Sequence, residues 1–268
     1  MTLTLTRDEI MKTAKPILFN TGMTKAILSG TKTQTRRVLK PHQRYLMSDP
    51  SEVGCPKHEY MLLDNKGFVC RKCGWGVTPL TGGLHIKPKY QIGDIVYVRE
   101  TWTTDPYGAD LKAIANGTMP VYYKADYTAS ECRDMFDSVW EPSIFMPKEA
   151  ARIFLRITDV RCQRIQDISE LDAVSEGAYP AVWHCNSALP GDPMSKPTYR
   201  NGFANLWDDI YAKPEPVQET VNGKKVITHY VSYSWTEMQD VWEYKGKPWH
   251  IIGNPYVAAY SFERIEAE

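Results

Sequence analysis

The chain lacks three features that would place it in a class at once: an excess of charge of one sign, a long apolar run and an internal repeat. Its 268 residues include 32 basic and 32 acidic side chains, so the field of the whole protein does not attract a nucleic acid from a distance. No run approaches the roughly 18 apolar residues that span a bilayer. Met1 to Ile10 contains no apolar segment of a secretory signal. We therefore expect a cytoplasmic protein without membrane association.

The cysteines indicate a metal site instead of disulfide bonds. Six cysteines without a secretory signal do not predict a disulfide framework. Within the segment 54–83, metal-ligating side chains form two short pairs: Cys55 with His58, and Cys70 with Cys73. This spacing is typical of zinc knuckles and ribbons, whose thiolates and imidazoles form a tetrahedron. We expect one structural zinc ion, because the segment has few apolar residues to order it; the alternative is a reduced Cys-x-x-Cys in a loop.

The densest group of hydrogen-bond donors lies between Gly30 and Arg37, where one lysine, three hydroxyls and two guanidiniums occupy eight residues. The apolar residues at 17–19 predict a short strand, and those after Thr21 recur at helical spacing. Gly30 stands where the end of a helix favours a left-handed residue. We expect the loop to present Lys32, Thr35, Arg36 and Arg37 to an anionic or polar ligand. The alternative is a solvated basic loop with local turn hydrogen bonds.

The rest of the chain predicts strands with a few helices. Branched and aromatic residues predict strands, and capping signals predict helices. The expected strands are 94–99, 121–124, 153–160 and 255–265, and the expected helices are 169–177 and 203–211. Asn222-Gly223 is a turn signal and predicts a late hairpin.

These features together resemble the ASCH family, a branch of the PUA-like small β-barrels associated with RNA. The shared pattern is Gly-x-Lys with a following Arg after the first helix, then Gly93-Asp94 before a strand, and a helix that ends at Glu176-Gly177. Further motifs look like the ASCH proteins of bacteriophages and prophages, and these are Lys15 to Asn20, Thr33 to Arg37, Arg99 to Trp102 and Pro142 to Pro147.

The resemblance implies an α+β fold, specifically a PUA-like small mixed β-barrel with covering helices, a zinc-ribbon-like insert and a late hairpin extension. It implies one elaborated domain over residues 15–268, with the zinc insert at 54–83 inside it. It also implies a phage- or prophage-encoded protein in the cytoplasm of a bacterial host.

The family implies a ligand cleft beside the loop, and hence the binding of RNA, another nucleic acid or a modified nucleoside. In that cleft Lys32, Arg36 and Arg37 would hold phosphate. Trp102 would either stack on a base or fill the core, and both alternatives stay open. Glu100 or Ser143 would contact the edge of a base.

One branch of the family suggests a hydrolase instead. That branch removes acyl groups from the exocyclic nitrogen of cytidine, and its lysine, threonine and glutamate match Lys32, Thr35 and Glu176. A threonine hydroxyl needs a base to become a nucleophile, and a desolvated lysine is a suitable one. The present chain is more than twice the usual size of that branch, and the glutamate match crosses long gaps. Binding module, amidohydrolase and ribonuclease therefore remain alternatives.

Overall fold

The chain has an α+β fold, with more strands than helices. The computed structural model describes residues 6–39, 60–63, 67–70, 88–104, 110–136, 140–182, 196–236 and 240–266. Its strands are β1 Lys15–Leu18, β2 Gln34–Val38, β3 Tyr60–Leu63, β4 Gly67–Cys70, β5 Ile95–Arg99, β6 Trp102–Thr104, β7 Val121–Tyr123, β8 Phe154–Arg164, β9 Glu215–Val221, β10 Lys224–Ser234, β11 Asp240–Tyr244, β12 Lys247–Gly253 and β13 Tyr256–Ile265. Its helices are α1 Arg7–Thr13, α2 Thr21–Leu28, α3 Leu111–Ala115, α4 Ala129–Phe136, α5 Glu170–Ser175 and α6 Tyr199–Tyr211.

Two compact units share the chain, and each is assembled from separate segments. Unit 1 consists of Met1–Thr33, Tyr90–Asp159 and Ser261–Glu268. Unit 2 consists of Gln34–Lys89 and Val160–Tyr260. Within the described residues the strands form open sheets and no closed barrel, so the expected small barrel is not seen there. In the same residues, no helix combines the length and the apolar character that crossing a membrane requires.

Unit 1 is built around parallel and antiparallel partners of β5. Strand β1 pairs with β5 in parallel, with Lys15 opposite Val96, and the first part of β8 pairs with β5 in the antiparallel sense. Helix α2 follows β1, and the Asn20 side chain caps it by accepting from the Met23 backbone N–H at 2.8 Å. Gly30 ends the helix region at a φ of 76°, as its position predicts. The buried core of unit 1 consists of Ile10, Ala14, Tyr97, Trp102, Ile114, Met146, Ala150, Ala151 and Phe154.

Unit 2 places two helices against strands. Its core consists of Ile165, Ile168, Ala173, Ala178, Phe203, Ala204, Trp207, Tyr233, Trp235 and Val257. Helix α5 packs on α6, and a Cβ on Gly202 of α6 would lie 1.8 Å from the Tyr179 carbonyl oxygen. This close approach requires glycine, because no side chain fits the space.

Four strands of unit 2 form a sheet of their own, which we call the second sheet, with the strand order β11-β12-β10-β9. The predicted hairpin at Asn222-Gly223 is confirmed, because β9 and β10 pair in the antiparallel sense with Val221 opposite Lys224. The sequence analysis did not predict β11 and β12. These two strands form another hairpin, and β12 pairs with β10 in parallel.

Candidate functional site

The lysine of the predicted ligand loop is buried within unit 1. Only 2% of Lys32 is exposed, which is rare for lysine. Its ammonium nitrogen lies 5.7 Å from the centroid of the Phe19 ring, and its backbone N–H donates to the Ala26 carbonyl at 3.0 Å. The loop therefore folds back on the end of α2 and does not present this lysine to solvent.

Thr35 and Arg36 follow on β2 in unit 2, and both are buried. The Arg36 guanidinium donates through Nη1 to Glu176 Oε1 at 3.0 Å and through Nη2 to Asp172 Oδ2 at 3.0 Å. The Arg36 side chain is wholly shielded from solvent, and the Glu176 side chain is 4% exposed. The loop strand and the glutamate of the helix are 140 residues apart in sequence, and this ion pair brings them together.

Helix α5 positions both carboxylates that Arg36 contacts. Ser169 caps the start of the helix, because its hydroxyl accepts from the Asp172 backbone N–H at 3.0 Å. Glu176 is the C-cap residue and precedes Gly177. Asp172 and Glu176 are four residues apart, so they lie on one face of the helix. The local sequence thus fixes the spacing of the two acceptors, and Arg36 supplies the matching pair of donors.

Asp172 also accepts from a second arginine. Arg161 donates through Nη2 to Asp172 Oδ1 at 3.2 Å. Burial by itself would raise the pKa of Asp172, but the Arg161 hydrogen bond and the charges of Arg36 and Arg161 outweigh burial, so the pKa lies below its ordinary value. The Nε of Arg36 is buried and has no hydrogen-bond partner among the described residues, which is a costly state for a cationic donor.

This network changes the role that the sequence predicts for Arg36. A phosphate-binding arginine must reach its ligand, whereas the Arg36 guanidinium is buried and occupied by two carboxylates. Arg37, the next residue, is half-buried and donates through Nη1 to the Tyr211 hydroxyl at 3.4 Å. Arg36 is therefore not placed to contact a phosphate, and Arg37 is the less buried of the two arginines.

A further basic residue near Arg37 escaped the sequence analysis. Burial and the charge of Arg37 lower the pKa of Lys89, an exposed residue of unit 2. Its backbone N–H donates to the Tyr260 hydroxyl at 2.9 Å. No sequence signal links Lys89 to Arg37, because the proximity arises only from the folded chain.

Unit 1 contains a second buried carboxylate, Glu100, at the end of β5. It is 1% exposed and accepts from Arg152 at both oxygens, at 2.9 and 3.0 Å. Asp126 binds the same guanidinium at 2.7 and 2.8 Å, and the Tyr123 ring lies 3.9 Å beneath it. Burial raises the pKa of Glu100 in spite of the Arg152 hydrogen bonds and charge. Glu100 is thus held by an arginine at both oxygens and is shielded from solvent.

Trp102 belongs to the core of unit 1. It is 4% exposed and lies in the buried apolar cluster of that unit. Of the two alternatives for this residue, stacking on a base or filling the core, the structure shows the second. Its Nε1 is buried, and the part of the chain that the structure describes gives it no hydrogen-bond partner. Ser143 is half-buried and begins a turn of 3₁₀ helix, Ser143–Phe145, whose other two residues are exposed. Arg99 holds this turn through the carbonyl groups of Ile144 and Met146.

The predicted zinc ligands fall outside the described part of the chain. This applies to Cys55, His58 and Cys73, and the side chain of Cys70 is likewise not described. The backbone of the β3–β4 hairpin pairs Tyr60 with Cys70, so the chain enters and leaves the hairpin at the same end. In the described residues, no group of three or more His, Cys, Asp or Glu side chains is arranged to hold a metal. The zinc site therefore stays a prediction.

The catalytic residues that the resemblance implies are divided between the units. Lys32 lies in unit 1, whereas Thr35 and Glu176 lie in unit 2 with Arg36 beside them.

Comparisons of the chain with family models, curated proteins and solved structures find no match.

Proposed function

We propose that the chain is an ASCH-domain protein of the PUA-like type that binds a modified base or nucleotide, free or within RNA, beside the loop 30–37. The contact between Arg36 and Glu176 is the main support, because it joins two motif segments 140 residues apart. The group that the resemblance implies, Lys32 and Thr35 with Glu176, requires these segments to be neighbours. The burial of Lys32 and Thr35, 2% and 3% exposed, adds support, since polar groups that bind small ligands lie in recesses.

The distribution of basic groups favours a small ligand with one or a few phosphates. Lys32 and Arg36 are buried, so Arg37 and Lys89 remain as the neighbouring cations nearer the surface. Burial and repulsion by the charge of Arg37 lower the pKa of Lys89, and an anion would relieve that repulsion. The pair therefore suits the phosphate of a nucleotide better than a long duplex.

A hydrolase that acts on N4-acylated cytidine is the second candidate, and the same Arg36–Glu176 contact favours it. In this candidate the Thr35 hydroxyl oxygen attacks the acyl carbonyl, and its proton passes to a deprotonated Lys32. The bond between the acyl carbon and N4 breaks, and N4 receives the proton held by Lys32 as cytidine leaves. Water then hydrolyses the acyl-threonine. Arg36 would hold Glu176 in place, and Glu176 would assist the proton transfer to the leaving amine.

The zinc prediction is retained as a proposal. A structural ion held by Cys55, His58, Cys70 and Cys73 would order the insert 54–83. The pairing of Tyr60 with Cys70 supports it, since the pairs of ligands flank that hairpin in sequence.

Calorimetric titration of the full chain with N4-acetylcytidine, cytidine and their 5′-monophosphates tests the proposal. We expect Arg37→Gln and Lys89→Gln each to weaken binding of the monophosphates about tenfold and to leave nucleoside binding unchanged. Arg156→Gln is a matched control, because that arginine pairs with Glu263 at 3.2 Å in a surface ion pair. Failure of the wild type to bind any of these compounds would refute the proposed function.

The hydrolase candidate is tested in the same samples by chromatography for cytidine and acetate. Thr35→Val preserves the shape of the side chain and removes the nucleophile. Loss of product in this variant, with an unchanged melting temperature and retained binding, supports hydrolysis. Binding without product in the wild type leaves the binding function alone.

A further inference from the structure

Aromatic residues form a row across three adjacent strands of the second sheet of unit 2. Tyr230 of β10 is the register partner of Trp249 of β12, and Trp249 is the partner of Trp242 of β11. Register partners project from the same face of a sheet. Trp242 is 59% exposed on β11, which is an edge strand. A tryptophan exposed at the end of an aromatic row is unusual and indicates an interaction surface.

The rings behind Trp242 are held in place by one another. The centroid of Tyr244 lies 4.9 Å from that of Tyr230 and 6.1 Å from that of Trp249, both in edge arrangements. The Trp249 Nε1 donates to the Ser232 hydroxyl at 3.0 Å. The face is therefore preformed, and a ligand that stacks on it loses little free energy in ordering these side chains.

The two faces of this sheet differ in charge. Glu215, Glu219 and Glu243 are partners of Val231, Val226 and Pro248, which lie on the face opposite the aromatic row. Lys225 is the partner of Thr220, and Lys247 is the partner of Tyr244. A register shift in β10 between Ile227 and His229 interrupts the alternation of that strand, so the face of Lys225 follows from β9, where Thr220 and Pro216, the partner of Tyr230, share one face. Alternation along β12 places Lys247 on the face of Trp249, so both lysines share the aromatic face.

A third lysine stands at the edge of the aromatic face. Lys245 occupies the turn between β11 and β12, and its amine lies 5.3 Å from the Tyr244 ring centroid. The charged register positions of this face are thus Lys225, Lys247 and, at the start of β11, Asp240, the partner of Ile251. With Lys245 at its edge, the face has three lysines against one aspartate. An occupant with negative charge and flat rings matches both properties.

We propose that the face formed by Trp242, Tyr244, Trp249, Lys225 and Lys247 binds single-stranded nucleic acid. Bases stack on Trp242 and the neighbouring rings, and the lysines contact the phosphates. Duplex nucleic acid does not fit, because its bases are already stacked on each other. None of these residues belongs to the loop 30–37, and the proposal does not rest on the proposed function.

Fluorescence anisotropy of the full chain with labelled oligonucleotides of about 12 residues tests the proposal. The probes are oligo-U RNA, oligo-dT and a duplex of mixed sequence. We expect Trp242→Ala to weaken binding of the single strands about tenfold, and Trp242→Phe to retain most of the affinity. Val241→Ala is the matched control, since Val241 is 68% exposed on the same strand and projects from the opposite face.

The lysines give a second, independent measurement. Lys245→Gln and Lys247→Gln should each reduce the slope of log affinity against log salt by about one unit. Binding of both RNA and DNA assigns the surface to stacking and phosphate contacts, whereas binding of RNA alone adds recognition of the 2′-hydroxyl. Absence of binding by the wild type, or equal losses in Trp242→Ala and Val241→Ala, would overturn the proposal. Arg37→Gln should leave oligonucleotide binding intact, which separates this result from that of the loop.

Discussion

Each unit contains an arginine between two carboxylates, but the two units bury different members of the group. In unit 1 the glutamate is shielded: the Glu100 side chain is 1% exposed while that of Arg152 is 27% exposed. In unit 2 the arginine is shielded: the Arg36 side chain is fully buried while that of Asp172 is 17% exposed. The same three types of residue therefore produce two different electrostatic environments.

The difference shows how burial and pairing compete. Glu100 has an arginine hydrogen bond at both oxygens, and burial still raises its pKa. Asp172 is nearer to water and lies beside two arginines, and its pKa is lowered. A carboxylate is thus stabilised in its charged form by opposite charges only while its own desolvation is moderate.

The largest expected effect comes from removing the fully buried cation. Arg36→Met should lower the free energy of unfolding by about 3 to 5 kcal/mol, because it leaves Asp172 and Glu176 without the buried guanidinium that pairs with both. Arg152→Met should lower the free energy of unfolding by about 1 to 3 kcal/mol. The loss is smaller because burial already raises the pKa of Glu100 and the Arg152 side chain is 27% exposed. Urea denaturation at neutral pH measures both values.

Arg36→Lys serves as the companion variant, because it keeps the charge and removes the forked geometry. It should recover only part of the loss. An equal or greater loss in Arg152→Met than in Arg36→Met would show that exposure of the arginine does not govern these networks.

A smaller effect concerns how the carboxylates are supported. In unit 2 both follow the capped start of α5, whereas in unit 1 Glu100 and Asp126 come from separate elements. Ser169→Ala removes the cap and should cost about 1 kcal/mol, with fraying of the helix that holds Asp172. Asp110→Ala removes the cap of α3 in unit 1, a helix outside either network. Amide hydrogen exchange should then increase around Arg36 in the first variant only; an increase in both would contradict this explanation.

The smallest difference lies in the pH dependence, where the two networks have opposite signs. Glu100 binds its proton more tightly in the folded chain, so its contribution to stability falls as pH rises above the ordinary value of 4.5. The contribution of Asp172 is present above the ordinary value of 3.8 and falls as pH decreases below it. Unfolding of Glu100→Gln and Asp172→Asn across a pH series, each subtracted from the wild type, measures these slopes. Slopes of the same sign would refute the contrast.

The sequence predicted much of the local structure. Periodicity and capping predicted the helix 169–177, which forms as Glu170–Ser175 with Glu176 as its cap. The helix predicted at 203–211 begins earlier, at Tyr199, because Thr198 provides the cap. Signals of this type act within one turn of chain, so they can be read from neighbouring residues.

The partners of the site residues were not predictable in the same way. Arg36 was expected to contact phosphate, and it contacts Asp172 and Glu176. The link between Glu100 and Arg152 was also missed. A guanidinium in a sequence has the same donors for a ligand as for a carboxylate, and only the fold decides which acceptor is near. The barrel expectation depended on long-range strand closure, which local patterns do not encode.

The parallel pairing of β10 with β12 has a consequence for how the second sheet assembles. The two hairpins, β9 with β10 and β11 with β12, close over short loops and can form within about 1 to 10 μs. Docking one hairpin beside the other must then select a single alignment. A slip of one residue would turn the side chains of one hairpin over, so that Trp249 and Trp242 would face away from Tyr230. Correct assembly of this sheet is therefore expected to be a late and slow event in folding, and the aromatic row exists only after it is complete.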